Sequence, residues 1–296
     1  EMLFALGLGD SVAGITYECD YPQEALGKTV VVNTRLAPSS DPAEIDRQVR
    51  EFMLREESLY RIETDILQQI QPDLIITQDL CHVCAASPGD LGSALAALPN
   101  APKVVNLNPR TLDDVWRDVL TVGKVADCVA KAEEIVAGLK RRVEAVERAV
   151  ANAKSRPRVL CLEWLDPPFI GGHWVPEMIA RAGGVDVLGK PAEPGFSAEW
   201  RGVLESQPDV IVIVPCGYHL EEAVRQFQDT HFPPSWMELP AVTNGRVFVA
   251  DASSYFSRPG PRLAEGVELL GHMIHPELVP KPPLPEAFRQ ITPGPE

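Results

Sequence analysis

The chain has 296 residues, 45% of them hydrophobic and 23% charged, an ordinary globular composition for two domains or one large one. Its 27 basic residues against 42 acidic ones give a formal charge of −15, which argues against sequence-independent binding to a phosphate backbone. No apolar run approaches the ~20 residues of a membrane-spanning helix, and six cysteines are too few for a disulfide scaffold.

The sequence opens on Glu1, and Met2 to Leu8 reads as part of a helix, so the chain reads as starting inside a fold, after a missing first strand. No signal peptide is visible, which leaves the compartment open between cytoplasm and export. Asp41, Pro42 and Glu44 form an expected N-cap, first-turn proline and capping-box partner for a helix through Ile45, Val49, Phe52 and Met53. A second helix is expected to carry Leu59, Ile62, Ile66, Leu67 and Ile70, followed by buried strands at Leu74 to Thr77 and Val104 to Leu107.

From Thr111 to about Lys154 apolar residues recur at helical spacing, with Gly123 and Gly138 as candidate breaks. The portion after Val125 alone would reach roughly 40 Å at ~1.5 Å per residue, a length that suits a rigid strut between two lobes. Beyond Pro157 the alternation resumes: a strand at Arg158 to Glu163, a helix at Val175 to Ala182 closed by Gly183 and Gly184, and a strand at Asp209 to Val214. An Asn244-Gly245 turn leads into a strand at Val247 to Ala250, and Gly260 to Ile274 reads as helix. The proline-rich stretch from Pro276 onward reads as an irregular tail.

Gln71-Pro72-Asp73-Leu74-Ile75 is echoed by Gln207-Pro208-Asp209-Val210-Ile211, each after a helix and opening an apolar strand. The expected organisation is α/β, with two Rossmann-like lobes joined by a long rigid helix and a ligand cleft between them. The boundaries are 1–110 for the first lobe, 111–156 for the helical segment, 157–275 for the second lobe and 276–296 for the tail.

Gly14-Ile15-Thr16-Tyr17-Glu18-Cys19-Asp20-Tyr21-Pro22 resembles the first-lobe loop of cobalamin-binding proteins of the BtuF type, helix-linked class III substrate-binding proteins of ABC importers. The run from Glu163-Trp164-Leu165-Asp166-Pro167-Pro168 through Gly172-His173-Trp174-Val175-Pro176-Glu177-Met178 to Ala182-Gly183-Gly184 is similar to a signature of the same family. The resemblance implies a binding protein without catalysis or catalytic cofactor, holding a corrinoid as ligand and serving an ABC permease outside the cytoplasm. It implies ligand contacts at Tyr17, Glu18, Tyr21 and Gln78 in the first lobe, and at Phe169, His173, Trp174, Tyr255, Phe256 and Arg258 in the second. The well-known importers carry aromatic residues where this chain has Glu18 and, nearby, Gln78. Glu199 is the counterpart expected to dock on permease arginines. For Phe256 and Arg258 a plain loop reading stands beside the functional one, with the ring in the core and the guanidinium on the surface.

Thr77-Gln78-Asp79-Leu80-Cys81-His82-Val83-Cys84 is the densest chemical feature. Cys81, His82 and Cys84 admit three readings: a metal site lacking further ligands, a redox dithiol, or a loop of small thiols in contact with ligand. His173 follows two glycines at a helix start, where its imidazole would reach a cobalt face or hydrogen-bond the loop backbone; His82 has the same choice. The rival functions are a haem or siderophore binder on the same fold, and a metal or redox protein built on Cys81, His82 and Cys84.

Overall fold

A computed structural model describes residues 1–39, 41–55, 57–78 and 88–291. The chain forms two compact units, Glu1–Pro109 with Trp116–Ile135, and Arg110–Val115 with Val136–Glu296.

In the first unit, strands β1 (Gly14–Thr16), β2 (Thr29–Thr34) and β3 (Tyr60–Ile62) form one sheet, in which β1 and β2 are parallel and β3 antiparallel to β2. Strands β4 (Leu74–Gln78) and β5 (Lys103–Leu107) form a parallel pair. The expected helix from Leu59 is shorter than its pattern. Tyr60 to Ile62 pairs with Thr34 to Val32 as a strand, and the helix runs only over Thr64–Ile70. A β-favouring Tyr-Arg-Ile run beside a partner strand overrides the helical spacing. Helix Pro42–Leu54 is capped by Asp41, whose Oδ1 accepts the Ala43 amide at 3.0 Å. The reciprocal half of the capping box is absent, because the Asp41 amide donates to Ser39 Oγ and Glu44 pairs with Arg47. The opening helix ends at Ala5, ahead of Gly7 at φ 80°.

The long helical stretch is two helices, Leu112–Val125 and Val129–Val150. The break falls at neither predicted glycine. Asp127 takes a left-handed φ of 55°, and the Cys128 amide turns back to Gly123 O at 2.8 Å. Gly123 allows that turn, since a Cβ there would lie 2.3 Å from Ala132 Cβ. The second helix therefore covers about 33 Å at ~1.5 Å per residue. Cys128 is half-exposed at this corner.

The second unit is built on one sheet, from strands β6 (Arg158–Leu165), β7 (Pro168–Ile170), β8 (Val185–Asp186), β9 (Phe196–Ser197), β10 (Val210–Ile213), β11 (Val247–Ala250) and β12 (Phe288–Ile291). Its central strands β6, β10 and β11 are parallel, in the order β12-β11-β10-β6-β7-β9 with β8 on β6. Such strands must be apolar on both faces. Leu160, Leu162, Ile211, Ile213, Val247 and Val249 join one cluster with Leu220, Ala223, Val224, Trp236 and Leu239. Val159, Cys161, Val210 and Val212 alternate to the other face and are equally buried. There Val159, Ile179 and Ile274 close around Gly184.

Helix Val175–Arg181 ends in a Schellman motif. Gly184 N–H reaches Ile179 O at 2.9 Å and Gly183 N–H reaches Ala180 O at 3.1 Å. Gly183 is required, because φ is 84° and a Cβ would stand 2.9 Å from both His275 Nε2 and Val150 Cβ. The tail is not wholly irregular: β12 lies antiparallel on β11, Ala250 opposite Phe288 and Val247 opposite Ile291. Its Phe-Arg-Gln-Ile sequence carries a strand alternation that the surrounding prolines conceal. The Gln-Pro-Asp echo has a shared physical form. Gln71 and Gln207 both leave their helices in left-handed conformation, at φ 48° and 43°, and proline then prevents the helix from continuing.

Candidate ligand-binding site

Ligands of open α/β sheets gather at the carboxyl ends of the parallel strands. In the second unit those ends are the β6–β7 turn, the loop 214–219 after β10 and the loop 251–262 after β11. Backbone bonds hold them together. Val214 N–H donates to Leu162 O at 2.8 Å, Cys216 N–H to Glu163 O at 3.0 Å, and Ser253 N–H to Tyr218 O at 3.0 Å.

On this frame the half-buried rings of Trp164 and Tyr218 lie 5.3 Å apart, tilted by 59°. Beside them Asp251 caps the short helix Ala252–Tyr255, its Oδ1 accepting the Ser254 amide at 2.8 Å and its Oδ2 the Ser254 hydroxyl at 2.9 Å. His219 Nδ1 stands 3.2 and 3.0 Å from the same two oxygens. Cys216 is exposed in the same loop. Aromatic faces next to a hydrogen-bonding fringe suit a large flat ring with polar substituents. Trp164, Cys216, Tyr218, His219 and Asp251 were not among the predicted contacts. The available signal was the Pro-Cys-Gly-Tyr-His turn directly after a buried strand.

The predicted second-unit contacts divide. Tyr255 and Arg258 are half-buried in the loop after β11, and Phe169 is half-buried on β7 opposite Trp164. Trp174 and Phe256 are instead core residues, 3% and 1% exposed. Trp174 Nε1 donates to Phe256 O at 2.7 Å, so the pair ties the His173 loop to the Tyr255 loop. Both sit where a loop folds back over the apolar second face of the sheet, and burial of their rings outweighs any gain from display.

His173 adopts φ 52°, between a 2.6 Å bond from its amide to Glu193 O and a 2.9 Å bond from the Ala192 amide to its own carbonyl. Burial first, and the charge of Arg110 second, lower its imidazole pKa from the usual value, which favours the neutral ring. Gly172, just before His173, is a close approach of the chain to itself. A Cβ there would lie 2.1 Å from Gly195 N, so the missing side chain makes room for the chain's own 193–195 backbone.

Glu177 has a structural post: its Oε2 accepts the Leu112 amide at 3.0 Å and its Oε1 the Arg181 guanidinium at 3.0 Å. Glu199 is exposed at the N-cap of helix Trp200–Glu205 and makes no side-chain cap bond. Cys161 is fully buried, and desolvation, with the charges of Glu163 and Asp186, pushes its thiol well above the usual range. A thiol so buried and so held in its neutral form is inert packing.

In the first unit, β1 leads into the Tyr17 loop. Tyr17 and Tyr21 are 42% and 47% exposed. Tyr17 Oη donates to Glu18 Oε1 at 2.9 Å and Tyr60 Oη donates to the same oxygen at 3.4 Å, with the two rings 6.3 Å apart. Glu18 thus anchors a tyrosine pair. Gln78 is half-buried at the end of β4. Cys81, His82 and Cys84 lie outside the described residues. Among the described residues no group of three or more His, Cys, Asp or Glu side chains is placed to hold a metal ion.

Strand-end loops that present aromatic rings beside hydrogen-bonding side chains define a small-molecule-binding class of α/β protein. The chain belongs to the periplasmic binding protein family, whose model matches residues 1–253. It is 23% identical over 273 residues to the vitamin B12-binding protein of Vibrio cholerae, covering 90% of this chain and 83% of that one. It is also 23% identical over 291 residues to an uncharacterized ABC transporter substrate-binding lipoprotein, YvrC, of Bacillus subtilis, covering 94% of this chain and 77% of that one. Among solved structures, a periplasmic heme binding protein from Pseudomonas aeruginosa superposes with a TM-score of 0.76 at 17% identity, over 99% of this chain and 95% of that one. BtuF of Vibrio cholerae, a periplasmic vitamin B12 binding protein, superposes with a TM-score of 0.68 at 20% identity, over 93% and 92%. These likenesses establish the shared α/β fold of periplasmic binding proteins.

Proposed function

We propose that this protein binds a corrinoid and delivers it to an ABC-type permease, acting as a carrier without catalysis. The observation that carries the reading is the aromatic and polar shelf at the ends of β6, β10 and β11, in a chain whose curated relatives over 90% of its length include vitamin B12-binding proteins. A corrin presents a broad apolar face and a rim of amides. Trp164, Tyr218 and Tyr255 supply ring contacts, while Asp251, Ser254 and Arg258 are matched to the amide rim. Tyr17, Tyr21, Glu18 and Gln78 of the first unit, and Phe169 and His173 of the second, belong to the same proposed contact set. Glu199 is the proposed second-unit contact for permease arginines, being an exposed carboxylate. An extracytoplasmic location, periplasmic or lipid-anchored, accompanies this role, as for the periplasmic BtuF and the lipoprotein YvrC.

A haem ligand is the second reading, favoured by the TM-score of 0.76 to a heme binding protein and by His173, whose lowered pKa favours the neutral ring. Titration of the purified chain with cyanocobalamin and with haemin separates the two. The corrinoid reading expects one cobalamin per chain and weaker haemin binding; tight haemin binding with no cobalamin uptake overturns it.

A further inference from the structure

Away from the strand-end loops, the second unit holds a cavity of about 390 Å³ whose lining includes Arg246, Phe248, His272, Lys281, Phe288 and Arg289. The chain has 42 acidic residues against 27 basic ones, yet this lining carries three permanent cations and no carboxylate. Such local reversal concentrates a positive field within low-dielectric walls.

The cations are held in place without being neutralised alike. Arg246 Nη2 donates to Met273 O at 2.9 Å and Ile274 O at 2.8 Å, so carbonyls at the end of helix Leu263–Ile274 orient it; Glu277 and Asp209 act on it through space, but it makes no ion pair among the described residues. Lys281 Nζ lies 5.0 Å from the centre of the Phe288 ring and makes no ion pair among the described residues. Arg289 pairs with Glu221 at the exposed rim, where such pairs are weak and exchange readily. The apolar side is aromatic: Phe288 meets Phe248 edge-on at 5.9 Å, and the His272 ring stands 5.9 Å from Phe288. His272 Nδ1 is 3.0 Å from Val279 O; a carbonyl only accepts, so Nδ1 carries the proton.

The geometry points to a second binding site here, for a compact aromatic anion such as an aryl phosphate or aryl carboxylate. Its ring would lie along Phe288 and its charge among Lys281, Arg289 and Arg246. The strand β12 that brings Phe288 and Arg289 to this place is what creates the site. The inference is independent of the corrinoid reading, because its probe and its residues are different.

Isothermal titration of the whole protein with phenyl phosphate tests it, with inorganic phosphate as the ring-free comparison. Saturable phenyl phosphate binding near or below about 1 mM is expected. The K281E/R289E variant, altered only at exposed positions, is expected to lose about tenfold or more while keeping its cobalamin affinity. Phe288→Leu is expected to bring phenyl phosphate close to the affinity of inorganic phosphate. Absence of saturable phenyl phosphate binding, equal binding by K281E/R289E, or inorganic phosphate binding as tightly as phenyl phosphate to the parent would each overturn the site as described.

Discussion

Replacing Trp174 by phenylalanine distinguishes a core ring from a ligand anchor. The indole is 3% exposed, and its Nε1 donates to Phe256 O at 2.7 Å. Phenylalanine keeps most of the apolar body and deletes the donor. Leaving a buried carbonyl without that partner costs ~1–3 kcal/mol. The smaller ring leaves a void of roughly 40 Å³, which at ~24 cal/mol per Å³ adds about 1 kcal/mol. The sum is about 2–4 kcal/mol, and with a urea slope of about 2 kcal/mol per M the unfolding midpoint falls by ~1–2 M. Urea titration followed by far-ultraviolet circular dichroism measures the shift, and cobalamin titration of the folded variant accompanies it. Weakened binding with an unmoved midpoint would refute the core placement, because only a ligand contact behaves that way.

Other perturbations have equally definite outcomes. Trp164→Ala and Tyr218→Ala should each weaken cobalamin binding about thirtyfold, ~2 kcal/mol, while the protein stays folded, with some loss of stability for Tyr218, which packs on the core; parent-like affinity removes that ring from the contact set. Gly183→Ala places a side chain at φ 84° against His275 and Val150, and should lower stability by ~1–3 kcal/mol in thermal unfolding. Burial pushes the Asp118 carboxyl up to about 6 against the opposing charge of Arg117, and its Oδ2 has no hydrogen-bond partner among the described residues. The folded state therefore holds this proton more tightly than the unfolded chain, and its contribution is lost as pH rises from the ordinary carboxylate range through about 6. Asp118→Asn should stabilise the protein above that range by about 1 kcal/mol, discounted for partial exposure, with the gain shrinking in acid; a gain constant from pH 4 to 8 contradicts this. His173 has the opposite sign. Its lowered pKa means that stability falls as pH drops through the unfolded value of ~6.5, and His173→Gln should flatten that slope in melting curves.

Much of the fold is legible from pattern alone where burial is two-sided. The apolar runs at Arg158 and Asp209 become parallel strands buried on both faces, whereas those at Leu74 and Val104 pair in parallel but are not buried on both faces, with Val104 39% exposed. The αL exits at Gln71, Gln207 and Gly183 follow from local chemistry. Misreadings occur where a local pattern meets a tertiary partner. Tyr60 to Ile62 becomes a strand only because β2 is beside it, and Phe288 to Ile291 only because β11 has an open edge. The helix break at Asp127 needs no glycine at the break itself, which no propensity scale signals. The site is less legible still. Sequence resemblance selects the Trp174 and Phe256 rings but not which way they face, whereas Tyr218 and His219 acquire meaning only when β10 places their loop beside Asp251. Orientation is a property of packing, and packing is non-local.

Carriage of a corrinoid is the proposed role of this family member. Its most direct test is one equilibrium competition: the purified chain is dialysed against equimolar cyanocobalamin, haemin and a ferric siderophore, and the bound fraction is read by its absorption spectrum. A corrin spectrum at one equivalent per chain is expected. A bound fraction dominated by the haem or ferric-siderophore spectrum, with cobalamin left in the dialysate, would contradict it.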